Sequence, residues 1–180
     1  EDFDAVIAAC GGTAAVPPIP GTEDTPFFTP LAAFADEKAL GKRVVVIGGG
    51  ETGAETGMYL GEAGHTVTVL TRSRYLAPEA WSVHAYSLMK RRWESIEGFS
   101  YIPQAVTLSI EPGAVTYEKD GEHRTLACDS IVIAGGVRSR TEDALGYAGC
   151  APQFFMIGDC DRAMNLQHCT RSALAAVSKL

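Results

Sequence analysis

Residues Gly48-Gly49-Gly50-Glu51-Thr52-Gly53 fit the spacing G-x-G-x-x-G, and they follow directly on the apolar run Val44-Val45-Val46-Ile47. A strand, a glycine turn and a helix in that order can hold a pyrophosphate. Gly48 makes the tight turn, Gly50 lets the backbone come close to the phosphates, and Gly53 lets the helix pack on the strand. The phosphates would sit on the unpaired N–H groups at the positive end of the helix. The competing reading is a glycine-rich turn that holds nothing.

The end of the next strand decides which dinucleotide suits such a site. A ribose 2′-hydroxyl calls for Asp or Glu there, whereas a 2′-phosphate calls for a cation and no acid. This chain has Thr71-Arg72-Ser73-Arg74. Two guanidiniums and neighbouring hydroxyls can bind a phosphate through forked, charge-assisted hydrogen bonds, so NADPH is expected over NADH. Gly53 points the other way, because many 2′-phosphate sites have Ala at its position. The charge argument is the stronger, since a carboxylate beside a 2′-phosphate repels it. The alternative for Arg72 and Arg74 is a solvated surface pair.

These residues need a frame. Arg43 to Ile47 reads as a strand, the next stretch to about Ala63 as a helix stopped by Gly64, and Thr66 to Thr71 as a second strand, together a βαβ unit. Helical spacing of Trp81, Ala85, Leu88 and Met89 predicts a second helix from about Pro78 to Glu94, with both tryptophans in a core or an interface. Alternation at Val106, Leu108 and Ile110, then at Val115 and Tyr117, with turns at Pro112-Gly113 and Asp120-Gly121 before His123 to Cys128, predicts a three-stranded antiparallel meander. Ala5 to Ala9, Ser130 to Ala134 and Phe154 to Ile157 read as short buried strands ending in glycine turns. The last helix is expected from about Asn165. Five prolines between Ala15 and Pro30 predict a linker between two lobes.

The chain of 180 residues has a formal charge of −7, which argues against nucleic acid or an anionic membrane surface as partner. No apolar run approaches the length of a membrane span. The cysteines, Cys10, Cys128, Cys150, Cys160 and Cys169, contain no C-x-x-C pair and no zinc-like spacing, so no metal site is expected and the cytoplasm is the expected compartment. The chain opens on Glu1 without a leader and reads as an excised piece.

Ala5 to Gly12, Arg43 to Gly53, Ile131 to Arg138 and Met156-Ile157-Gly158-Asp159-Cys160 occur in an order that resembles the two-dinucleotide-fold flavoproteins of the pyridine nucleotide-disulfide oxidoreductase superfamily. The resemblance extends to the old-yellow-enzyme-like group of 2,4-dienoyl-CoA reductase, enoate reductase and trimethylamine dehydrogenase. It implies an α/β, Rossmann-like nucleotide-binding domain, a parallel sheet with helices plus the meander, flanked by incomplete pieces of an FAD-binding domain. Residues 1–25 would end the first FAD segment and form the linker, 26–148 would be the NAD(P)H domain, and 149–180 the returning FAD segment. The glycine motif that holds the ADP part of FAD would lie upstream, as would a flavin barrel with FMN and an iron-sulfur cluster where the parent has them. This stretch alone is therefore not expected to hold FAD strongly.

By the same resemblance, Asp159 with Gly158 would contact the FAD ribityl chain, and the helix from Asn165 would point its positive end at the flavin. Glu55 would meet the nicotinamide carboxamide, Glu51 would cover the empty nicotinamide pocket, and Gly135 and Gly136 would lie near the nucleotide. For Glu55 the alternative is an exposed helix carboxylate. Departures are Cys10-Gly11-Gly12 for the usual Thr-Gly, Ala134-Gly135-Gly136, and Ala173 where glycine is common. The function implied is hydride delivery from NADPH to FAD in a parent that reduces an enoate or enoyl substrate. A module holding ADP or NADP as structure only is the alternative. A thioredoxin-reductase-type dithiol is excluded by the cysteine spacing. None of His65, His84, His123 and His168 has a catalytic context.

Overall fold

The computed structural model describes residues 3–180, so the first two residues of the expected FAD segment lie outside the described residues. In chain order the strands are β1 (Ala5–Ala8), β2 (Gly12–Ala14), β3 (Arg43–Ile47), β4 (Thr66–Thr71), β5 (Phe99–Pro103), β6 (Val106–Glu111), β7 (Ala114–Lys119), β8 (Glu122–Ala127), β9 (Ser130–Ile133), β10 (Val137–Ser139) and β11 (Gln153–Met156). The α-helices are α1 (Pro30–Ala35), α2 (Glu51–Glu62), α3 (Tyr86–Ser95), α4 (Thr141–Leu145), α5 (Asp159–Arg162) and α6 (Leu166–Val177). The chain divides into two compact units, Val16–Gly136 and the two outer segments Glu1–Ala15 with Val137–Leu180.

The central unit is built on a four-stranded sheet in the order β5-β4-β3-β9, parallel throughout. Strands buried on both faces must be apolar at every position, and β3 carries Val44, Val45, Val46 and Ile47 for that reason. Alternation sends Val44 and Val46 to one face, where they pack with Ala54, Met58 and Leu60 of α2 and Trp93 of α3. Val45 and Ile47 face the other way, onto Ile110, Val115 and Tyr117 of the three-stranded meander β6-β7-β8. The α/β class, the parallel sheet and the meander expected from the sequence are all present. The proline-rich stretch is not a free linker. Ile19 is buried in the meander-side core, and Phe28 bridges in parallel to Val132 on β9. Compact packing therefore changes at residues 15/16 and 136/137, whereas the boundaries that the resemblance implies are 25/26 and 148/149.

The helix expected over Pro78 to Glu94 is interrupted. Pro78–Trp81 form a single 3-10 turn, and His84 with φ 59° breaks the chain before α3 starts at Tyr86. Leu88 is consequently exposed, and Trp81 is half exposed, packed against Tyr75 and Tyr86 at centroid distances of 4.8 and 4.9 Å. Of the two tryptophans, Trp93 is the one buried in the core. Helix α2 stops as expected, with Gly64 at φ 96° and the His65 N–H donating to the Leu60 carbonyl at 3.0 Å. His65 itself is structural, its ring nitrogens 2.8 Å from the Gly41 carbonyl and 2.9 Å from the Glu37 carboxylate.

Where β3 begins, Asp129 accepts the Arg43 backbone N–H at 2.8 Å and the Arg43 guanidinium at 2.6 Å. The guanidinium first, then the backbone N–H, hold the Asp129 carboxyl below the usual range. A depressed folded pKa contributes stability in full above the unfolded value of about 3.9, and this is lost as pH falls through the folded value. Asp129→Asn is thus expected to lose less melting temperature than the parent between neutral and acid pH. Parallel thermal melts across that range check it, and equal losses would contradict it.

In the outer unit, β1 pairs in parallel with β11, and β2 pairs antiparallel with β10. Cys160 of α5 fills the small core between Ala8 and Ala144. Among the described residues, no helix is long and apolar enough to cross a membrane, and no group of three or more His, Cys, Asp or Glu could hold a metal ion.

Candidate functional site

The turn after β3 is fixed by packing at three of its four glycines. Gly48 has φ 110°, its N–H donates to the Leu70 carbonyl at 2.9 Å, and a Cβ there would meet the Ala134 carbonyl oxygen at 2.2 Å. A Cβ on Gly49 would meet the Thr71 side chain at 2.4 Å, and one on Gly53 would lie 1.8 Å from the Gly48 carbonyl oxygen. Gly50 differs. Its φ is −69°, and a Cβ there would meet nothing nearer than a Glu79 carboxylate oxygen at 3.5 Å. No protein atom requires glycine at this position by close contact, and as the N-cap of α2 it leaves the space in front of the helix open.

That space opens into a cavity of about 600 Å³ lined by Gly48, Gly49 and Gly50, by Thr71, Arg72 and Ser73 after β4, and by Gly135 and Gly136 after β9. The N-terminus of α2 points its first N–H groups here, and Gly50 as N-cap offers no side chain to satisfy them. Arg72 is exposed on the cavity wall and makes no ion pair among the described residues. These features fit an anionic group with a second phosphate at Arg72.

The expected residues are not equivalent. Thr71 is buried, and its hydroxyl accepts the Ser73 N–H at 3.2 Å, shaping the turn. Arg74 lies outside the cavity lining, with its guanidinium carbon 5.6 Å from the Tyr75 ring centroid. Thr52 and Glu55 are exposed on α2 away from the lining, and the Thr52 carbonyl accepts from Thr56 Oγ1. Glu51 is half-buried, and its carboxyl is pushed above the usual range by burial first, then by the charges of Glu79 and Glu55. Glu79, Pro17, Pro18 and Thr107 also line the cavity. No local spacing marks them, because they reach the wall from separate parts of the chain.

In the outer unit, Gly158 has φ 65° and donates its N–H to Ser172 Oγ at 2.9 Å. Asp159 Oδ1 accepts the Met164 N–H at 3.4 Å, and Asn165 caps α6 by accepting the His168 N–H at 3.0 Å. His168 Nε2 is buried without a hydrogen-bond partner, 3.7 Å from Asp161.

A glycine turn between a buried parallel strand and an uncapped helix, opening on a cavity at the carboxyl ends of β3, β4 and β9, defines a dinucleotide-binding α/β protein. The chain belongs to the pyridine nucleotide-disulphide oxidoreductase family, which it matches over residues 1–173. The superfamily resemblance read from the sequence is thereby borne out. Bilirubin reductase of Mediterraneibacter gnavus is 30% identical across 100% of this chain and 28% of its own length. The chain is similar to the structure of 2-naphthoyl-CoA reductase, with TM-score 0.84 and 25% identity over 94% of this chain and 26% of that one. Histamine dehydrogenase from Rhizobium sp. 4-9 shares the fold, with TM-score 0.80 and 18% identity over 99% of this chain and 31% of that one. The chain thus spans about a third or less of each of these proteins.

Proposed function

We propose that this chain is the NAD(P)H-binding region of a flavin-dependent oxidoreductase and that it prefers NADPH to NADH. The observation that carries the reading is the open cradle at Gly50 with an unpaired Arg72 on the same cavity wall, where a ribose-binding acid would otherwise stand. The backbone of Gly48 to Gly53 would hold the pyrophosphate, and Arg72 with Ser73 the 2′-phosphate. Arg74 and Thr71 support that loop, and Gly135 and Gly136 border the nucleotide. As the resemblance implies, Glu55 would meet the nicotinamide carboxamide and Glu51 would cover the empty nicotinamide pocket, although both stand outside the cavity lining. When bound, NADPH supplies a hydride for FAD.

The outer segments, 1–25 and 149–180 in the sequence division, would contribute to an FAD-binding lobe. There Gly158 and Asp159 would meet the ribityl chain, and α6 would direct its positive end at the flavin. An upstream barrel with FMN and an iron-sulfur cluster would complete a parent that reduces an enoate or enoyl group. The names of bilirubin reductase and of 2-naphthoyl-CoA reductase, the latter a reductase bound to an acyl-CoA, support that direction. The cytoplasm suits its five cysteines, all of them free thiols. Steady NADPH oxidation by the full-length parent is the expected result. A parent that binds NADP or ADP but never oxidises NADPH would make the nucleotide a structural ligand instead.

A further inference from the structure

Glu79 is an exposed carboxylate on the cavity wall, its two oxygens 3.5 and 3.7 Å from where a Gly50 Cβ would sit. No cation pairs with it among the described residues. It is presented by a pinned turn. The preceding residue but one, Ala77, is fully buried in a left-handed conformation at φ 47°, and its N–H donates to the Gly49 carbonyl at 2.8 Å. The 3-10 turn of Pro78–Trp81 therefore keeps its position relative to the glycine turn. Left-handed backbone at a non-glycine residue is tolerated where surrounding structure dictates it, and such strain gathers at functional sites.

The charges around Glu79 give the cavity two unlike ends. Glu79 stands on the wall beside Gly50 and Arg72 stands on the β4 side, while Glu51 and, one turn on, Glu55 follow on α2 outside the lining. Mutual repulsion among these acids is felt at Glu51, whose carboxyl is raised by Glu79 after the effect of burial. A ligand spanning the cavity must bring its extra anion to Arg72 and something neutral with donors to Glu79. NADP fits this demand, because beyond its pyrophosphate lies a ribose whose hydroxyls donate. A nucleotide ending in a phosphomonoester, such as 2′,5′-ADP, brings a second negative charge and no comparable donors to the same place.

Resting on the reading of the cavity as an NADP site, we propose that Glu79 is a specificity-determining residue that selects the dinucleotide against nucleotides ending in phosphate. Removing its charge relieves the repulsion of the terminal phosphate and weakens the acceptor for the ribose. At a solvent-exposed position each effect is expected to be about two- to fivefold in affinity.

The test is calorimetric titration of the parent chain, Glu79→Gln and Arg72→Ala with NADP and with 2′,5′-ADP. Glu79→Gln is expected to bind 2′,5′-ADP more tightly and NADP more weakly, so that the ratio of the two affinities falls about tenfold. An unchanged ratio in this variant overturns the proposal. Arg72→Ala is expected to weaken both ligands alike, since both carry the 2′-phosphate. If Arg72→Ala weakens both and Glu79→Gln leaves the ratio intact, the proposal for Glu79 alone fails. If the parent chain binds neither ligand, or Arg72→Ala changes neither, the reading of the cavity fails and takes the proposal with it.

Discussion

Gly53→Ala is expected to lower the melting temperature by about 10 °C, the effect of roughly 3 kcal/mol of overpacking in a chain of this size. The added methyl would lie 1.8 Å from the Gly48 carbonyl oxygen and 2.9 Å from its carbon, and neither backbone atom can swing aside. Helix α2 would have to back away from β3, opening its contact with the sheet. Gly50→Ala is the matched contrast. Its methyl meets nothing nearer than 3.5 Å, so stability should fall by no more than about 1 kcal/mol, the cost of alanine at an N-cap, while the methyl intrudes on the space before the helix. Circular-dichroism melts of the two variants separate the roles. A Gly53→Ala protein melting within a few degrees of the parent would contradict the packing account.

The second large effect concerns charge. Arg72→Ala combined with Arg74→Ala is expected to weaken NADPH by about thirty- to a hundredfold, as the loss of charge-assisted bonds to a phosphate of about 2 to 3 kcal/mol, and to leave NADH nearly unchanged. The structure divides this effect unequally. Arg72 lines the cavity, whereas Arg74 lies against Tyr75 outside the lining, so the single Arg72→Ala variant should carry most of the loss. Affinities of the single and double variants for both nucleotides check the division. Equal losses for NADPH and NADH would refute the 2′-phosphate assignment.

What could be read from the sequence was what is encoded locally. The run Val44 to Ile47, the glycine turn and the stop at Gly64 carry β3, α2 and their connection in their own residue types, and the alternation of Val106 to Cys128 carries the meander. Edge strand β5 was missed because Phe99-Ser100-Tyr101-Ile102-Pro103 lacks a clean alternation and ends in proline. The β2 and β10 pair was missed because each strand has three residues and finds its partner far along the chain. The spacing of Trp81, Ala85, Leu88 and Met89 is helical, yet the left-handed residue His84 cuts that helix, and Leu88 is left exposed. At the site, the glycines and Arg72 were legible. Glu79 and the Pro17-Pro18 wall were not, because tertiary packing alone brings them to the cavity.

The central claim is that this cavity is a nucleotide site that prefers a 2′-phosphate. Parallel calorimetric titrations of the 180-residue chain with NADPH, NADH and ADP test it most directly. The account predicts that NADPH binds more tightly than NADH or ADP. NADH binding as tightly as NADPH, or more so, would contradict it.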